Sequence, residues 1–484
     1  MNANDLHDPL LRRRASEWTP ATGSLDIACL TALYARGELT PAQVVDTIYD
    51  RIEAAPPTLA WIHLLPRQAA LQRAREVMQW PAGVARHPLW GIPFSVKDCN
   101  DVPGMPTTNA FAPTAYMAQT TGQAIQRLLD AGAICLGKVN MDQFGIGLVG
   151  MRSPYGACSS VFHPDFISGG SSSGSGVSVG AGHASFSIGN DAAGSGRVPA
   201  AFNNIVGLKP TPGLVSNVCV TGGGCVKTIE TVSVFALTGE DALTVLRAIA
   251  GYDATDPFSK RRADAVDLSW QAPPARFRFG TPSEPYLRFF GDREAERLYV
   301  SGIARLEALG GKRVEVDFRP FEETQRILYD GAWIAERALS LDSVVERHAA
   351  QMHPVTRQIL SASSQYSAKD TFRAIHRVAE LKCQTRPVWD AIDTLVVPTT
   401  PTIYRKAEIE AEPIALNARL GIYTNFVNLM GLCGAAVPAG FRADGLPLGM
   451  TFLGRAFTEA RQMALGARFH RLQALQLGAS PNPY

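Results

Sequence analysis

The stretch SGGSSSGSGVSVGAGHASFSIGNDAAGSGR, residues 168–197, decides how this chain is read. It opens like a flexible spacer, with Gly169-Gly170-Ser171-Ser172-Ser173-Gly174, yet it runs without a break into an apolar segment from Val177 and ends on Gly194-Ser195-Gly196-Arg197. Gly/Ser runs are usually linkers. Here nothing marks a second domain, and the flanks share the same composition. A phosphate cradle fails on spacing. No lysine follows the glycines as a P-loop requires, and Gly174-Ser175-Gly176 meets its next glycine at Gly180, one place too far for a dinucleotide fingerprint. Catalysis remains, and a catalytic serine needs a base.

His163 and His183 are close in sequence, but neither belongs to a nucleophile elbow, and His183 sits in an apolar run where a structural role is commoner. Lys97 is the other candidate. It closes Leu89-Trp90-Gly91-Ile92-Pro93-Phe94-Ser95-Val96-Lys97-Asp98, which reads as a turn and a short buried strand ending on a charged pair. Burial penalises the charged form of a lysine. A neutral lysine can serve as base, and Ser–Lys variants of the catalytic triad exist.

Further out, the pattern is α/β. Thr40-Pro41-Ala42-Gln43 carries an N-cap, an N1 proline and a capping-box glutamine, with helical spacing from Val44 to Ile52. Ala124 to Ala131 reads as helix and Ile134 to Gly137 as strand. Val177 to Ile188 reads as a buried helix or a strand pair. Ile303 to Leu309, Gly310-Gly311 and Arg313 to Val316 read as helix, stop and strand. Thr394 to Val397 reads as a fully buried strand. The expected fold is α/β: a single large domain with a central mixed sheet covered by helices on both faces. Residues 1–80 are expected to be an N-terminal helical segment and 81–484 the core, with no separate C-terminal domain.

Composition narrows the function. The 484 residues are 46% hydrophobic and 19% charged, with a net charge of +2. Lys plus Arg (46) nearly balances Asp plus Glu (44), so no global field draws a polyanion, and no nucleic-acid partner is expected. No apolar run reaches the roughly 18 residues of a membrane span. The basic residues near the N-terminus are not followed by an apolar secretory segment, so the expected location is the cytoplasm. Arg12 to Arg14 reads as a solvated, frayed end. The cysteines (Cys29, Cys99, Cys135, Cys158, Cys219, Cys225, Cys383, Cys433) are scattered, which fits reduced thiols. With no zinc spacing and no His-Glu-x-x-His, neither a metal nor another cofactor is expected.

Residues 169–212 resemble the amidase signature. They include Gly169-Gly170-Ser171-Ser172-Ser173-Gly174-Ser175, Gly189-Asn190-Asp191-Ala192-Ala193-Gly194-Ser195-Gly196-Arg197 and Gly207-Leu208-Lys209-Pro210-Thr211. The resemblance runs from Gly91 to Gly449. It implies a Ser–cis-Ser–Lys triad: Ser195 as nucleophile, Ser171 as the serine after a cis peptide, and Lys97 as base. It also implies an oxyanion hole from the backbone amides of Ala192, Ala193, Gly194 and Ser195. Such donors can each be worth about 3 kcal/mol of barrier lowering.

Within that family the chain is most similar to the allophanate hydrolases and urea-derivative amidases such as guanylurea hydrolase. The segments Gly150 to Gly156, Gly194 to Asn204 and Tyr423 to Leu429 carry this likeness. Leu328 to Arg337 matches the place of a substrate-binding tyrosine and arginine, here Tyr329 and Arg337. Eight residues on one helix would turn both toward one pocket. Without the resemblance, Arg337 reads as a surface arginine paired with Glu336 or Asp330. The chain departs from the branch in the 217–231 loop, which has no arginine and gains Glu230, and in Asn190-Asp191-Ala192, where the branch has Thr-Asp-Thr. A lost cation and a gained carboxylate suit a neutral or cationic substrate such as guanylurea; Arg337 suits anionic allophanate. Both stay open. Two other readings are carried: a broad aryl- or alkyl-amidase, and an amidotransferase-complex subunit. The expected partner is a small amide. Family members are often dimers, so the resemblance implies a homodimer.

Overall fold

In the computed structural model of this chain, residues 9–81, 83–220, 226–329 and 331–484 are described. Short apolar runs form its central sheet. In chain order the strands are β1 (Trp61–Leu64), β2 (Pro93–Lys97), β3 (Ile134–Val139), β4 (Phe186–Asp191), β5 (Val206–Lys209), β6 (Thr231–Ala236), β7 (Phe277–Pro282), β8 (Gly311–Val316), β9 (Thr394–Pro398), β10 (Cys433–Phe441) and β11 (Pro447–Gly454). They join in the order β1-β3-β2-β4-β6-β5-β10-β11-β9-β7-β8, an 11-stranded sheet. β2 runs parallel to β3 and β4, and β7 runs parallel to β9 and β8. The strands between these groups pair antiparallel, so the sheet is mixed. Every residue of β2, β3 and β4 is buried, as strands covered by helices on both faces require. The first eighty residues supply helices and the edge strand β1. The largest apolar cluster runs from Leu25 to Tyr484, tying both ends of the sequence into one core.

Local signals explain several elements directly. Thr40 and Gln43 close the capping box of helix Pro41–Ala54: Gln43 N donates to Thr40 Oγ1 at 3.3 Å, and Thr40 N to Gln43 Oε1 at 2.9 Å. The expected helix near 124–131 is Gln123–Asp130, and the one expected from Ile303 to Leu309 is the end of helix Arg293–Ala308, which Leu309 caps before β8.

Two expectations change. The segment from Val177 to Ile188 is neither one helix nor a strand pair. Helix Ser173–Gly180 starts inside the Gly/Ser run, and β4 follows after a turn. The run is small because neighbours crowd it. A Cβ at Gly174 would lie 2.4 Å from both Ala60 O and Asn140 N. The Arg12 to Arg14 run is also not wholly solvated. Arg14, in helix Pro9–Ser16, is buried, with Nε 3.1 Å from Asp26 Oδ2, and Nη1 donates to Pro483 O at 3.2 Å. Asp26 caps the next helix by accepting from Cys29 N at 2.9 Å, and a buried carboxylate there calls for a counter-charge. Among the described residues, no helix is long and apolar enough to cross a membrane.

Candidate active site

The end of β2 delivers Lys97 to the interior. The next residue, Asp98, anchors the chain beyond it. Its carboxylate lies 3.3 Å from Lys138 Nζ and accepts from Thr108 N at 3.1 Å and from the Thr108 hydroxyl. With Asp98 held this way, Lys97 Nζ reaches Ser171 Oγ at 2.8 Å, and Ser171 Oγ lies 2.9 Å from Ser195 Oγ. Three residues, from β2, the Gly-Gly-Ser turn and the loop after β4, form one hydrogen-bonded line. All three are buried, Ser195 the most open at 5% exposure. The Gly170–Ser171 peptide is cis. Asp142 N donates to Ser171 O at 3.0 Å, fixing that turn. A Cβ on Gly170 would come within 2.1 Å of Asp142 Oδ2, so only glycine fits.

Asp191 and Arg197 build the loop that presents Ser195. Arg197 Nε and Nη2 each donate to one Asp191 oxygen at 2.9 Å, a buried bidentate pair. The same carboxylate accepts from Gly194 N at 2.9 Å and Gly196 N at 3.0 Å. Burial alone would raise the carboxyl's pKa; the Arg197 charge and these hydrogen bonds outweigh it and hold it below its ordinary value. Segment 424–428 braces the loop from outside. Thr424 Oγ1 donates to Ala193 O at 2.7 Å, Asn428 Nδ2 donates to Asp191 O at 2.6 Å, and Arg197 Nη2 donates to Thr424 O at 3.1 Å. Gly194 has φ +125° and presses on Thr424, whose Oγ1 would stand 2.4 Å from an added Cβ.

This arrangement corrects one expected role. The Gly194 amide is committed to Asp191, so it is not free to face an oxyanion.

The serine–lysine line opens into a pocket of about 330 Å³, mouth included, whose wall contains Lys97, Ser171, Ser195, Ala192, Glu230 and Arg337. Arg337 is not a surface arginine, since it is 4% exposed. Its neighbour Glu336 instead accepts from Thr228 N at 2.9 Å and Thr228 Oγ1 at 2.6 Å. The suggested pairing with Asp330 falls on a residue outside those described.

Tyr329 and Arg337 do not share one helix. Helix Arg319–Tyr329 ends before Gly331, and a new helix spans Trp333–Leu339. Glycine is a poor helix residue, and a Cβ at Gly331 would lie 2.5 Å from Ile327 O. The break still brings the two together: the Arg337 guanidinium carbon lies 5.9 Å from the centre of the Tyr329 ring. In the 217–231 loop, residues 221–225 lie outside the described residues. The rest contributes Val220 and Glu230 to the pocket, and Glu230 Oε2 accepts from Val226 N at 3.2 Å.

Neither His163 nor His183 is in the pocket wall. His183 is buried beside Arg51, and burial first, then that charge, pushes its pKa down to about 4. The seven described cysteines are free, and Cys225 lies outside the described residues. Among the described residues, no group of His, Cys, Asp and Glu is placed to hold a metal ion. Sequence reasoning missed Cys99, Met141 and Phe144 in the wall, and marked Asn190 only as a departure from the branch. Cys99 stands next to a singled-out residue, but only the fold shows that it meets Asn190.

The amidase family model matches residues 43–463. A urea amidolyase of Lachancea kluyveri is 37% identical over 90% of this chain and 24% of its own length; that of Saccharomyces cerevisiae is 35% identical over 88% and 23%. The chain thus spans about a quarter of the length of these relatives. One subunit of the glutamyl-tRNA(Gln) amidotransferase of Heliobacterium modesticaldum is 31% identical over 90% of this chain and 93% of its own. Among solved structures, Kluyveromyces lactis allophanate hydrolase superposes with a TM-score of 0.86 at 33% identity, over 96% of this chain and 75% of that one. By the extent of these matches, this chain belongs to the amidase family.

Proposed function

We propose that this enzyme cleaves a C–N bond of a small urea-derived amide, of the allophanate or guanylurea type, and releases ammonia through an acyl-enzyme on Ser195. The observation that carries the proposal is the Lys97–Ser171–Ser195 line opening into a confined pocket whose wall holds both Arg337 and Glu230. The likeness to a urea amidolyase and to an allophanate hydrolase supports the substrate class.

In this mechanism the Lys97 amine, as the base, takes a proton from Ser171 while Ser171 takes one from Ser195. The hydroxyls rotate freely, so the same contacts serve with their protons reversed. Ser195 Oγ then bonds to the substrate carbonyl carbon. Charge gathers on the carbonyl oxygen, facing the amides of Ala192, Ala193 and Ser195. Lys97 returns the proton through Ser171 to the leaving nitrogen, the C–N bond breaks, and ammonia departs. Water, giving its proton to the same relay, cleaves the acyl-enzyme and restores Ser195.

Arg337 would pair with a substrate carboxylate, and Glu230 with a cationic guanidino group. Ammonia release from allophanate, guanylurea, biuret and benzamide tests the proposal. Turnover of the urea-derived amides supports it, and turnover of benzamide alone overturns it. The reading as part of an amidotransferase complex draws on the 31% relative. A stable partner that co-purifies and is needed for activity would favour it.

A further inference from the structure

Asn190 is one of the sequence departures that the mechanism leaves without a role. It sits in β4, five residues before Ser195, and belongs to the pocket wall although only 1% exposed. Its oxygen is fully occupied. Oδ1 accepts from Cys99 Sγ at 2.9 Å and from Asn100 Nδ2 at 3.2 Å. Asn100 Nδ2 also donates to the backbone carbonyl of Lys97 at 3.1 Å. That carbonyl can only accept, so it fixes which end of Asn100 is nitrogen. The Asn100 donor in turn fixes which end of Asn190 is oxygen. The orientation of Asn190 therefore follows from partners with one role each. What remains is Nδ2, a buried donor group with no hydrogen-bond partner among the described residues.

Native proteins leave few buried donors unpaired. A donor stranded in the wall of a pocket is matched by what the pocket binds. We propose that Asn190 is a specificity-determining residue whose Nδ2 donates to a second acceptor of the substrate, the carbonyl oxygen or imine nitrogen next to the scissile carbonyl. This rests on the urea-derived substrate class proposed above, in which two such groups flank one nitrogen. An amide without the second acceptor leaves Nδ2 unpaired in the complex and is selected against, as sites built to bond a polar group reject analogues that lack it.

Two variants test this. Asn190→Asp keeps an oxygen for Cys99 and Asn100 but replaces the free donor with an acceptor. Asn190→Ala removes the donor without adding charge beside Asp191, and decides the matter if Asn190→Asp does not fold. For each, steady-state ammonia release from allophanate and guanylurea is measured with the melting temperature and the rate at which a small fluorophosphonate labels Ser195. The expected result is a KM raised at least about tenfold, with labelling within about threefold of wild type. An unchanged KM in folded, labelling-competent variants overturns the proposal. So does a parallel loss of labelling and turnover, because Asn190 would then act through Ser195. A wild-type enzyme inert on every urea-derived amide sinks the substrate class, and this inference with it. A wild-type enzyme that turns them over while Asn190→Ala keeps its KM sinks this inference alone.

Discussion

Replacing Arg197 by methionine removes the guanidinium that grips both oxygens of Asp191. Both side chains of the pair are wholly buried, at 2.9 Å. The variant strands a carboxylate in the interior with two backbone amides as its remaining partners. Breaking a buried pair from one side typically costs about 3–5 kcal/mol. Unfolding entropy near about 2.1 cal/mol/K per residue gives a chain of 484 residues roughly 1 kcal/mol/K, so the melting temperature should fall by about 3–5 °C.

The pH dependence has a fixed sign. Asp191 titrates below its ordinary value of 3.8 in the folded enzyme, so its contribution is fully present above that value and is lost as pH falls through the lower folded value. The gap between wild type and Arg197→Met should therefore be widest above about pH 4 and shrink at lower pH. Scanning fluorimetry from pH 3 to 8 on both proteins reads this. A variant that melts within 1 °C of wild type at pH 7, or a gap that grows as pH falls, would refute the view that this pair holds the loop. The paired variant Asp191→Asn with Arg197→Met should recover part of the loss, since it leaves no buried charge alone.

Gly194→Ala forces a Cβ toward Thr424 Oγ1 at 2.4 Å and a φ of +125°, so the enzyme should lose at least about 100-fold in kcat, and near-normal turnover would show that the loop can shift at little cost. Arg337→Gln should raise KM for allophanate by about tenfold or more while sparing guanylurea; equal loss on both would make Arg337 a structural residue. Arg14→Met should lower the melting temperature by a few degrees with kcat unchanged, because its pair with Asp26 lies outside the pocket; an unchanged melting temperature would show that the pair adds nothing.

Features that depend on near neighbours were legible in the sequence. The Thr40–Gln43 capping box and the strands at 93–97 and 394–398 follow from residues a few positions apart. The segment from Val177 to Ile188 was not, because a stretch of small residues buried on every side has no polar face to reveal its period. Arg14 was misread because its partners are Asp26 and the distant Pro483. The break after Tyr329 turns on a single glycine, which spacing along an assumed helix passes over. The contact between Cys99 and Asn190 spans 91 residues and exists only because the β2 end and β4 meet at the pocket. The places of Lys97, Ser171 and Ser195 came from resemblance to a family; their junction came from the fold.

Ammonia release from allophanate and guanylurea by wild type, Ser195→Ala and Lys97→Ala, each confirmed folded by its melting temperature, bears on the mechanism without intermediary. Both variants should fall by about 10⁴-fold or more in kcat, since residues that act as one unit fail together. Turnover by Ser195→Ala within tenfold of wild type would contradict the acyl-enzyme, and Lys97→Ala merely slowed a few-fold would remove Lys97 as the base.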